Sequence, residues 1–207
     1  METTREFKEE TRRYFDQVAG AYDGSFDGRF VKCMYREAVA RAAALPGSRV
    51  LDLGCGTGNL IRLLREVKPA FYCGADLSEQ MIRQARRSLG AGASLVTADA
   101  AALPYGDGAF DIVVCNASFH HYTEPERAAG EIRRVLRPGG TLILGDPTFP
   151  GRLPRKLLNQ ALHKRGSGDY RIYGKREITA LFTASGFLVH SWKRINLRAF
   201  MFEAVRQ

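Results

Sequence analysis

Short apolar runs alternate with amphipathic segments through the middle of the chain. The apolar runs have the length of buried strands and cover residues 49–53, 70–75, 94–97, 110–115 and 141–144. Between them, helical spacing recurs over residues 59–66, 78–89 and 124–136, and Ser78 stands where the second of these helices needs an N-cap. Uninterrupted apolar strands separated by helices predict a mostly parallel sheet covered on both faces.

The two ends of the chain follow other patterns. Amphipathic stretches at 4–18 and 30–44 precede the first strand, and we expect them to pack across its carboxyl end or its flank. After residue 144 the chain becomes basic, with glycines and prolines, before a helix near 175–185 and strand-like runs at 187–192 and 199–205. A length of 207 residues fits one domain. With the five central runs, these last two runs predict a doubly wound α/β fold with seven strands.

Composition agrees with an ordinary globular protein, at 45% hydrophobic and 26% charged residues. No apolar run approaches the roughly 20 residues that span a bilayer. The first ten residues, METTREFKEE, lack the apolar core of a secretion signal, so we expect a cytoplasmic protein. No C-x-x-C spacing occurs, which predicts buried, reduced thiols.

Net charge is distributed unevenly, because the whole excess of +9 falls after Pro150, where 12 basic residues face 3 acidic ones. An anionic small-molecule partner, an anionic lipid surface or a merely solvated face would each explain it. Nucleic acid is disfavoured, because only residues 169–176 combine basic and aromatic side chains closely. A peripheral lipid contact would suit residues 153–164, where basic residues surround an apolar set: Arg155, Lys156, Lys164 and Arg165 around Leu157, Leu158, Ala161 and Leu162.

A glycine-rich loop, in VLDLGCGTGNL, follows the first strand directly. Gly54, Gly56 and Gly58 leave the backbone bare at the edge where open α/β sheets bind ligands. A dinucleotide fingerprint needs a small residue where Asn59 stands, and a P-loop needs a lysine that is missing. A nicotinamide-dependent reductase is therefore a weaker alternative.

Polar residues stand where the next strands end. Asp76, 18 residues beyond Gly58, suits a pair of ribose hydroxyls, although an acid here also caps helices. Asp99 and Asn116 end the third and fourth strands, and the four strand ends should meet in one crevice. Apolar Leu77 and Met81 suit an adenine ring or the core equally well.

Six ordered motifs make residues 14–145 resemble the class I S-adenosylmethionine-dependent methyltransferases, in the group of ubiquinone/menaquinone-biosynthesis-like enzymes. These motifs are YFDQVAGAYD, VLDLGCGTGN, GADLSEQMI, ADAAALPY, FDIVVCNASFHH and LRPGGTLIL. The resemblance implies a Rossmann-like fold and S-adenosyl-L-methionine as the cofactor. It further implies that Asp52, Gly54 and Gly56 surround its methionine part, Asp76 its ribose, Asp99 and Ala100 its adenine, and Asn116 its reacting end.

In the same N-terminal motif, Tyr14 and Tyr22 are candidates for a lid over the cofactor, with aromatic helix packing as the alternative. Methyl transfer from a sulfonium is an in-line displacement, so positioning supplies much of the acceleration and a base is optional. His120 or His121 would supply that base, and one of the two should point away from the site. No cluster has the spacing of metal ligands, so we expect no metal.

The acceptor is expected to be a small molecule, since Cys115-Asn-Ala-Ser departs from the pattern of enzymes that methylate base amines. The alternative hypotheses are a lipid or RNA acceptor and a non-catalytic cofactor-binding regulator. The oligomeric state is left open. We expect one methyltransferase domain with three parts: a helical lid at 1–45, a cofactor core at 46–146, and a substrate cover with the final strands at 147–207. Residues 152–173 are the candidate acceptor wall.

Overall fold

The computed structural model describes residues 2–162 and 168–207, and their strands form one sheet. The helices are α1 (Glu2–Val18), α2 (Phe26–Ala44), α3 (Asn59–Val67), α4 (Glu79–Leu89), α5 (Pro125–Val135), α6 (Arg152–Leu162) and α7 (Lys175–Ala184). The strands are β1 (Arg49–Leu53), β2 (Phe71–Asp76), β3 (Ser94–Thr97), β4 (Phe110–Asn116), β5 (Leu136–Pro147), β6 (Phe187–Asn196) and β7 (Ala199–Arg206).

The strand order is β3-β2-β1-β4-β5-β7-β6, and β7 runs antiparallel to both of its neighbours while the other pairs are parallel. The direction in which successive strands are added to the sheet reverses between β1 and β4. These two strands are adjacent in the sheet and pair Asp52 with Val114. In doubly wound sheets the ligand crevice lies at this switch point, outside the carboxyl ends of the strands. The expected α/β class and the mostly parallel seven-stranded sheet are confirmed.

Apolar side chains fill both faces of the sheet. One core cluster includes Ile132 of α5 and Phe182 of α7, while the other includes Met34 of α2 and Leu64 of α3, and all four are fully buried. Because both faces are covered, the central strands need the uninterrupted apolar character seen in the sequence.

Several element boundaries differ from the sequence prediction. The second helix begins at Phe26 rather than residue 30, because Ser25 Oγ accepts a hydrogen bond from the Gly28 N–H at 3.0 Å and caps it there. The predicted helix cap Ser78 is confirmed by the bond from the Met81 N–H to its Oγ at 3.1 Å. Helix α6 occupies part of the segment that we left unassigned.

Among the described residues, no helix has both the length and the apolar composition needed to cross a bilayer. The thiols of Cys55, Cys73 and Cys115 are buried and free, as predicted, whereas Cys33 is exposed on α2. Lys164 and Arg165, which we expected beside the apolar set of the basic segment, lie outside the described residues.

Candidate functional site

A pocket with about 970 Å³ of empty space, including solvent at its mouth, lies at the carboxyl edge of β1, β2 and β4. Its floor is formed by the glycine loop after β1 and by the polar ends of the neighbouring strands. Helices α1 and α2 cover it from above. Ten of the thirteen residues expected in the site line this pocket: Tyr22, Gly54, Gly56, Asp76, Leu77, Met81, Asp99, Ala100, Asn116 and His121.

Gly54 and Gly56 of the glycine loop meet different structural requirements. Both have a positive φ, 74° at Gly54 and 52° at Gly56, where side chains are disfavoured. A Cβ on Gly54 would lie 1.9 Å from Ser118 Oγ, so this glycine permits close packing of the two strand ends. A Cβ on Gly56 would have nothing within 4 Å. The backbone at Gly56 is therefore open to the pocket, and a ligand can approach it directly.

Asp76 fixes the loop to the second strand. Its Oδ2 accepts the Gly56 N–H at 2.8 Å, and its Oδ1 accepts the Ser78 N–H at 2.9 Å. Burial raises the pKa of this carboxyl to about 6, against the effect of these backbone donors. Each oxygen keeps a second lone pair for a ligand in the pocket. Because the side chain of Ser78 caps α4, a capping role does not account for Asp76.

Asp52 lies behind the pocket rather than on its wall. It is 2% exposed, and its Oδ2 has no hydrogen-bond partner among the described residues. Burial, with a smaller effect of Asp76, raises the pKa of this carboxyl to about 8. A buried carboxyl without a donor is costly, which makes the inner end of the site suited to a cationic or hydrogen-donating group.

Asn116 ends β4 and contributes to the lining of the pocket. The residue is buried, and neither Oδ1 nor Nδ2 has a partner among the described residues. The next residue, Ala117, has φ of 53°, a conformation that costs on the order of 1–3 kcal/mol outside glycine. Strained backbone beside an unpaired amide is an arrangement typical of ligand sites.

Helix α1 is attached across the pocket mouth by charged side chains that the sequence analysis did not identify. Lys8 Nζ lies 2.6 Å from Asp99 Oδ2 and 2.6 Å from Glu124 Oε2. Farther along the helix, Asp16 Oδ1 accepts a hydrogen bond from Ser78 Oγ at 2.7 Å. Such pairs join residues far apart in the sequence, and a helical charge pattern gives no sign of them.

Tyr14 does not reach the pocket. Its hydroxyl donates to Asp27 Oδ2 at 3.2 Å, and its neighbour Phe15 lines the pocket instead. Successive helical residues differ by about 100° in direction, so only one of two adjacent aromatic rings can face the site. Tyr22 does line the pocket.

The two histidines lie side by side rather than diverging, although only His121 of the two lines the pocket. They belong to a 3₁₀ turn, Phe119–His121, and their ring centroids are 3.8 Å apart. His120 Nδ1 is 2.8 Å from Asp146 Oδ1, and its Nε2 is 3.3 Å from Asp169 Oδ1. Hydrogen-bond partners on separate segments draw both rings to one side of the turn.

The surroundings of the two rings shift their pKa values in opposite directions. Burial lowers the pKa of His120, but Asp146 and Asp169 outweigh it and raise the value to about 10. Burial and the neighbouring His120 lower the pKa of His121 to about 3. At neutral pH, His120 is therefore cationic and His121 is neutral.

His121 has a defined tautomer. Its Nδ1 lies 2.7 Å from the carbonyl oxygen of Gly168, which can only accept, so Nδ1 carries the proton. The Nε2 atom then has a free lone pair. Since His121 lines the pocket and His120 does not, only His121 can meet a group bound there.

His120, His121 and Asp169 are the one group of described residues whose potential metal-binding atoms lie within 4.8 Å of one another. Both nitrogens of His120 already face carboxylates, and Nδ1 of His121 faces a carbonyl. These contacts explain the cluster as a hydrogen-bond network. The expectation of no metal remains a prediction.

A second chamber adjoins the first and shares with it Phe15, Tyr22, Val31, Ala117 and His121. It contains about 1130 Å³ of empty space and opens to solvent. Five aromatic side chains dominate its walls: Phe15, Tyr22, Phe26, Phe30 and Phe149. Its polar residues include His120, Asp27 and Arg198. The molecule thus offers a polar-floored pocket for one ligand and an adjoining aromatic chamber for another.

Comparison with known proteins agrees with this arrangement. The family model "Methyltransferase domain" matches residues 51–144. An uncharacterized methyltransferase of Geobacillus sp. (strain WCH70) is 30% identical over 93% of this chain and 96% of its own length. A demethylmenaquinone methyltransferase of Thermus thermophilus is 42% identical over 113 residues, but the match spans 53% of this chain and 51% of that protein.

Solved structures share the fold. The structure of a complex between the Haloferax volcanii Trm112 methyltransferase activator and a putative methyltransferase superposes with a TM-score of 0.82, covering 94% of this chain and 96% of the matched chain at 22% identity. A possible histamine N-methyltransferase from Thermotoga maritima gives 0.73 at 22% identity, covering 95% of this chain and 100% of that chain. The chain therefore belongs to the S-adenosylmethionine-dependent methyltransferases.

Proposed function

We propose that this enzyme transfers the methyl group of S-adenosylmethionine to a small, largely apolar acceptor held in the aromatic chamber. The observation that carries the proposal is that the two chambers are contiguous and share five residues. An acceptor in the second chamber would therefore lie next to a cofactor in the first. Family membership sets aside the nicotinamide-dependent reductase and the non-catalytic regulator.

The residues of the first pocket fit the cofactor. Open space at Gly56, the unpaired amide of Asn116 and the unpaired oxygen of Asp52 provide a bare backbone, a hydrogen-bonding group and a carboxyl for an ammonium. Asp76 offers charged acceptors for ribose hydroxyls. Leu77 and Met81 provide apolar contacts for an adenine ring, with Asp99 and Ala100 beside it.

The cofactor supplies a methyl group on a good leaving group, and the protein's task is to position the acceptor. Effective concentration and orientation account for up to ~7–11 kcal/mol in well-aligned reactions. Phe15, Tyr22 and Val31 lie where the chambers meet, and they would exclude water and restrict the acceptor. We assign the lid to residues 1–45, the cofactor core to 46–146, and the substrate cover with the final strands to 147–207.

His121 orients the acceptor in this proposal. With a pKa of about 3, it is a weak proton acceptor, but its Nε2 can accept a hydrogen bond from an acceptor O–H or N–H. His120 holds its charge between Asp146 and Asp169 and acts as a positioning residue for the turn. Acceptors that are nucleophilic without strong-base assistance are therefore favoured.

The test is a transfer assay with methyl-labelled cofactor and a panel of acceptors: hydroxylated aromatic compounds, aliphatic carboxylic acids, polar amines and RNA. We expect transfer to the aromatic compounds. Phe30→Ala should raise the acceptor KM and leave the cofactor Kd unchanged, whereas Met81→Ala should weaken cofactor binding. Transfer confined to RNA or to polar amines would overturn the assignment.

We also propose a cytoplasmic location, because the cofactor is an intracellular metabolite. Fractionation of cells with an antibody against the chain tests this. Recovery of the protein outside the cytoplasmic membrane would contradict it.

A further inference from the structure

Exposed apolar side chains gather around the mouth of the aromatic chamber. Among the described residues, eight large apolar side chains are exposed, and five lie on segments that wall this chamber. We call these five the apolar rim: Phe26, Phe149, Leu153, Leu157 and Leu197. The other three, Val67, Phe71 and Leu188, lie at the end of α3 and the starts of β2 and β6, toward the opposite edge of the sheet.

The rim residues come from three separate parts of the chain. Phe26 and Phe149 line the chamber itself, with exposed fractions of 68% and 42%. Leu197 is 70% exposed and precedes Arg198, which also lines the chamber. Convergence of three segments on one opening distinguishes this rim from apolar residues scattered singly over a surface.

Helix α6 presents an unpartnered apolar face within the rim. Leu153 and Leu157 are 67% and 59% exposed and lie one turn apart, with exposed Lys156 between them. The opposite face is occupied by Leu162, which is buried, and by Arg155, whose Nη2 lies 3.1 Å from Glu177 Oε2. Arg155 is thus a structural residue, and the expectation that it flanks the apolar set at the surface is corrected.

Cations accompany the rim. Lys156, Arg198 and Arg29 are exposed, and none has a carboxylate within ion-pair distance in the part of the chain that the structure describes. Arg29 lies one helical turn after Phe26. Apolar residues with free basic residues beside them are the combination that binds anionic lipid surfaces.

We propose that the apolar rim seats the enzyme on an anionic bilayer, so that the chamber mouth faces the lipid and a lipid-soluble acceptor enters without crossing water. The inference rests on the proposed function for the identity of the acceptor class, but the docking itself does not require turnover. Two rim residues line the chamber and the other three lie on segments that also line it, so a bilayer seated on the rim would lie at the chamber mouth.

The test uses the full chain, without cofactor or acceptor, and vesicles of phosphatidylcholine alone or with phosphatidylglycerol. We expect sedimentation with the mixed vesicles, weakened by salt, and little with the neutral ones. The double variant Leu153→Ser/Leu157→Ser should bind the mixed vesicles more weakly by about tenfold or more. The matched control, Val67→Ser/Phe71→Ser, changes equally exposed residues near the other edge and should bind like the parent chain.

Equal loss in the rim and control variants would overturn the proposal, as would equal binding to neutral and anionic vesicles. If the parent chain is a dimer that the rim variant converts to a monomer, the rim is an interface between copies and the proposal fails. The proposal would also be overturned if the chain did not bind vesicles but bound an acidic carrier protein, and if Lys156→Glu abolished that binding. Vesicle binding without any methyl transfer would support the docking and refute the proposed function instead.

Discussion

Lys8 of α1 forms an ion pair with Asp99 at 2.6 Å, and this pair joins the N-terminal helix to the end of the third strand across the pocket mouth. A second pair with Glu124 attaches the same amine to the start of α5. Lys8 thereby connects three segments that are distant in the sequence. The side chains are a quarter to a third exposed, so each pair contributes modestly, on the order of 0.2–1 kcal/mol.

Replacing Lys8 should loosen the lid more than it destabilises the fold. In Lys8→Met, α1 loses both attachments near the mouth, so we expect the cofactor to dissociate several times faster while the melting temperature changes little. Stopped-flow measurement of cofactor dissociation tests this. Arg13→Met is the matched control, since Arg13 lies on the same helix, is 66% exposed and, among the described residues, forms one ion pair, a 3.4 Å contact with Glu9. Identical rates for the two variants would contradict the attachment.

Asp76 is expected to dominate recognition of the ribose. Asp76→Asn keeps the shape of the side chain but removes its charge, so cofactor affinity should fall by ~1.5–3 kcal/mol. Calorimetry measures the change in affinity. Glu79→Gln, at the first residue of α4, serves as a control. Since the carboxyl has a pKa of about 6 in the free protein, affinity of the parent enzyme should also fall as pH drops through 6. An affinity equal to that of the parent would limit Asp76 to organising the loop.

The buried carboxyl of Asp52 is expected to lower the stability of the folded protein while it contributes to cofactor binding. Its carboxyl has a pKa of about 8 when folded, against about 3.8 for an exposed aspartate, so the folded protein holds a proton that the unfolded chain releases. The parent therefore loses stability as pH rises from about 4 to about 8, and the penalty is complete above that range.

Asp52→Asn should remove this penalty. We expect the variant to unfold at a higher temperature than the parent, with a gap that widens between pH 5 and 8 by up to ~1.4 kcal/mol per pH unit. Cofactor binding should weaken at the same time, because the ammonium loses its carboxylate. Melting curves across this pH range and calorimetry test both parts, and a gap that stays constant with pH would refute the explanation.

Sequence reasoning located pocket-lining residues best where they follow a strand end. The sheet brings Gly56, Asp76 and Asn116 into one pocket, as expected from their positions after predicted parallel strands, and their contacts with the cofactor remain a prediction. The rest of the site depends on long-range side-chain geometry. Lys8 pairs with a residue 91 positions away, and nothing in the spacing of α1 marks it.

The directions of aromatic and histidine rings were not predictable because they depend on contacts with other segments. Tyr14 was a lid candidate because it stands in the family-like N-terminal motif, whereas its hydroxyl donates to Asp27 and Phe15 lines the pocket instead. The paired histidines were expected to diverge, but Asp146 and the carbonyl of Gly168, on two other segments, hold both rings together. The apolar rim was only partly visible in the sequence, since its members come from three segments, of which the first, at Phe26, lies more than a hundred positions before the others.

A chelator should leave the enzyme active. The ring nitrogens of His120 and Nδ1 of His121 are engaged by carboxylate and carbonyl oxygens, so the cluster is satisfied without an ion. We expect turnover to survive prolonged dialysis against EDTA, and elemental analysis to find less than one metal ion per chain. Activity lost in EDTA and restored by one particular divalent ion would show that the cluster binds metal.

His120 should make the enzyme less stable at alkaline pH. Its pKa is about 10 in the folded protein and about 6.5 when exposed, so its charged pairing stabilises the fold fully below pH 6.5 and is lost as pH rises through 10. We expect the melting temperature of the parent to decline between pH 7 and 10 more steeply than that of His120→Gln. At pH 6 the variant should be less stable than the parent by ~3–5 kcal/mol, because Asp146 is left buried without its partner. His190→Gln changes an exposed histidine far from the cluster and should follow the parent at every pH. Parallel pH profiles for the parent and His120→Gln would mean that the buried ring is neutral and that its contact with Asp146 is an ordinary hydrogen bond.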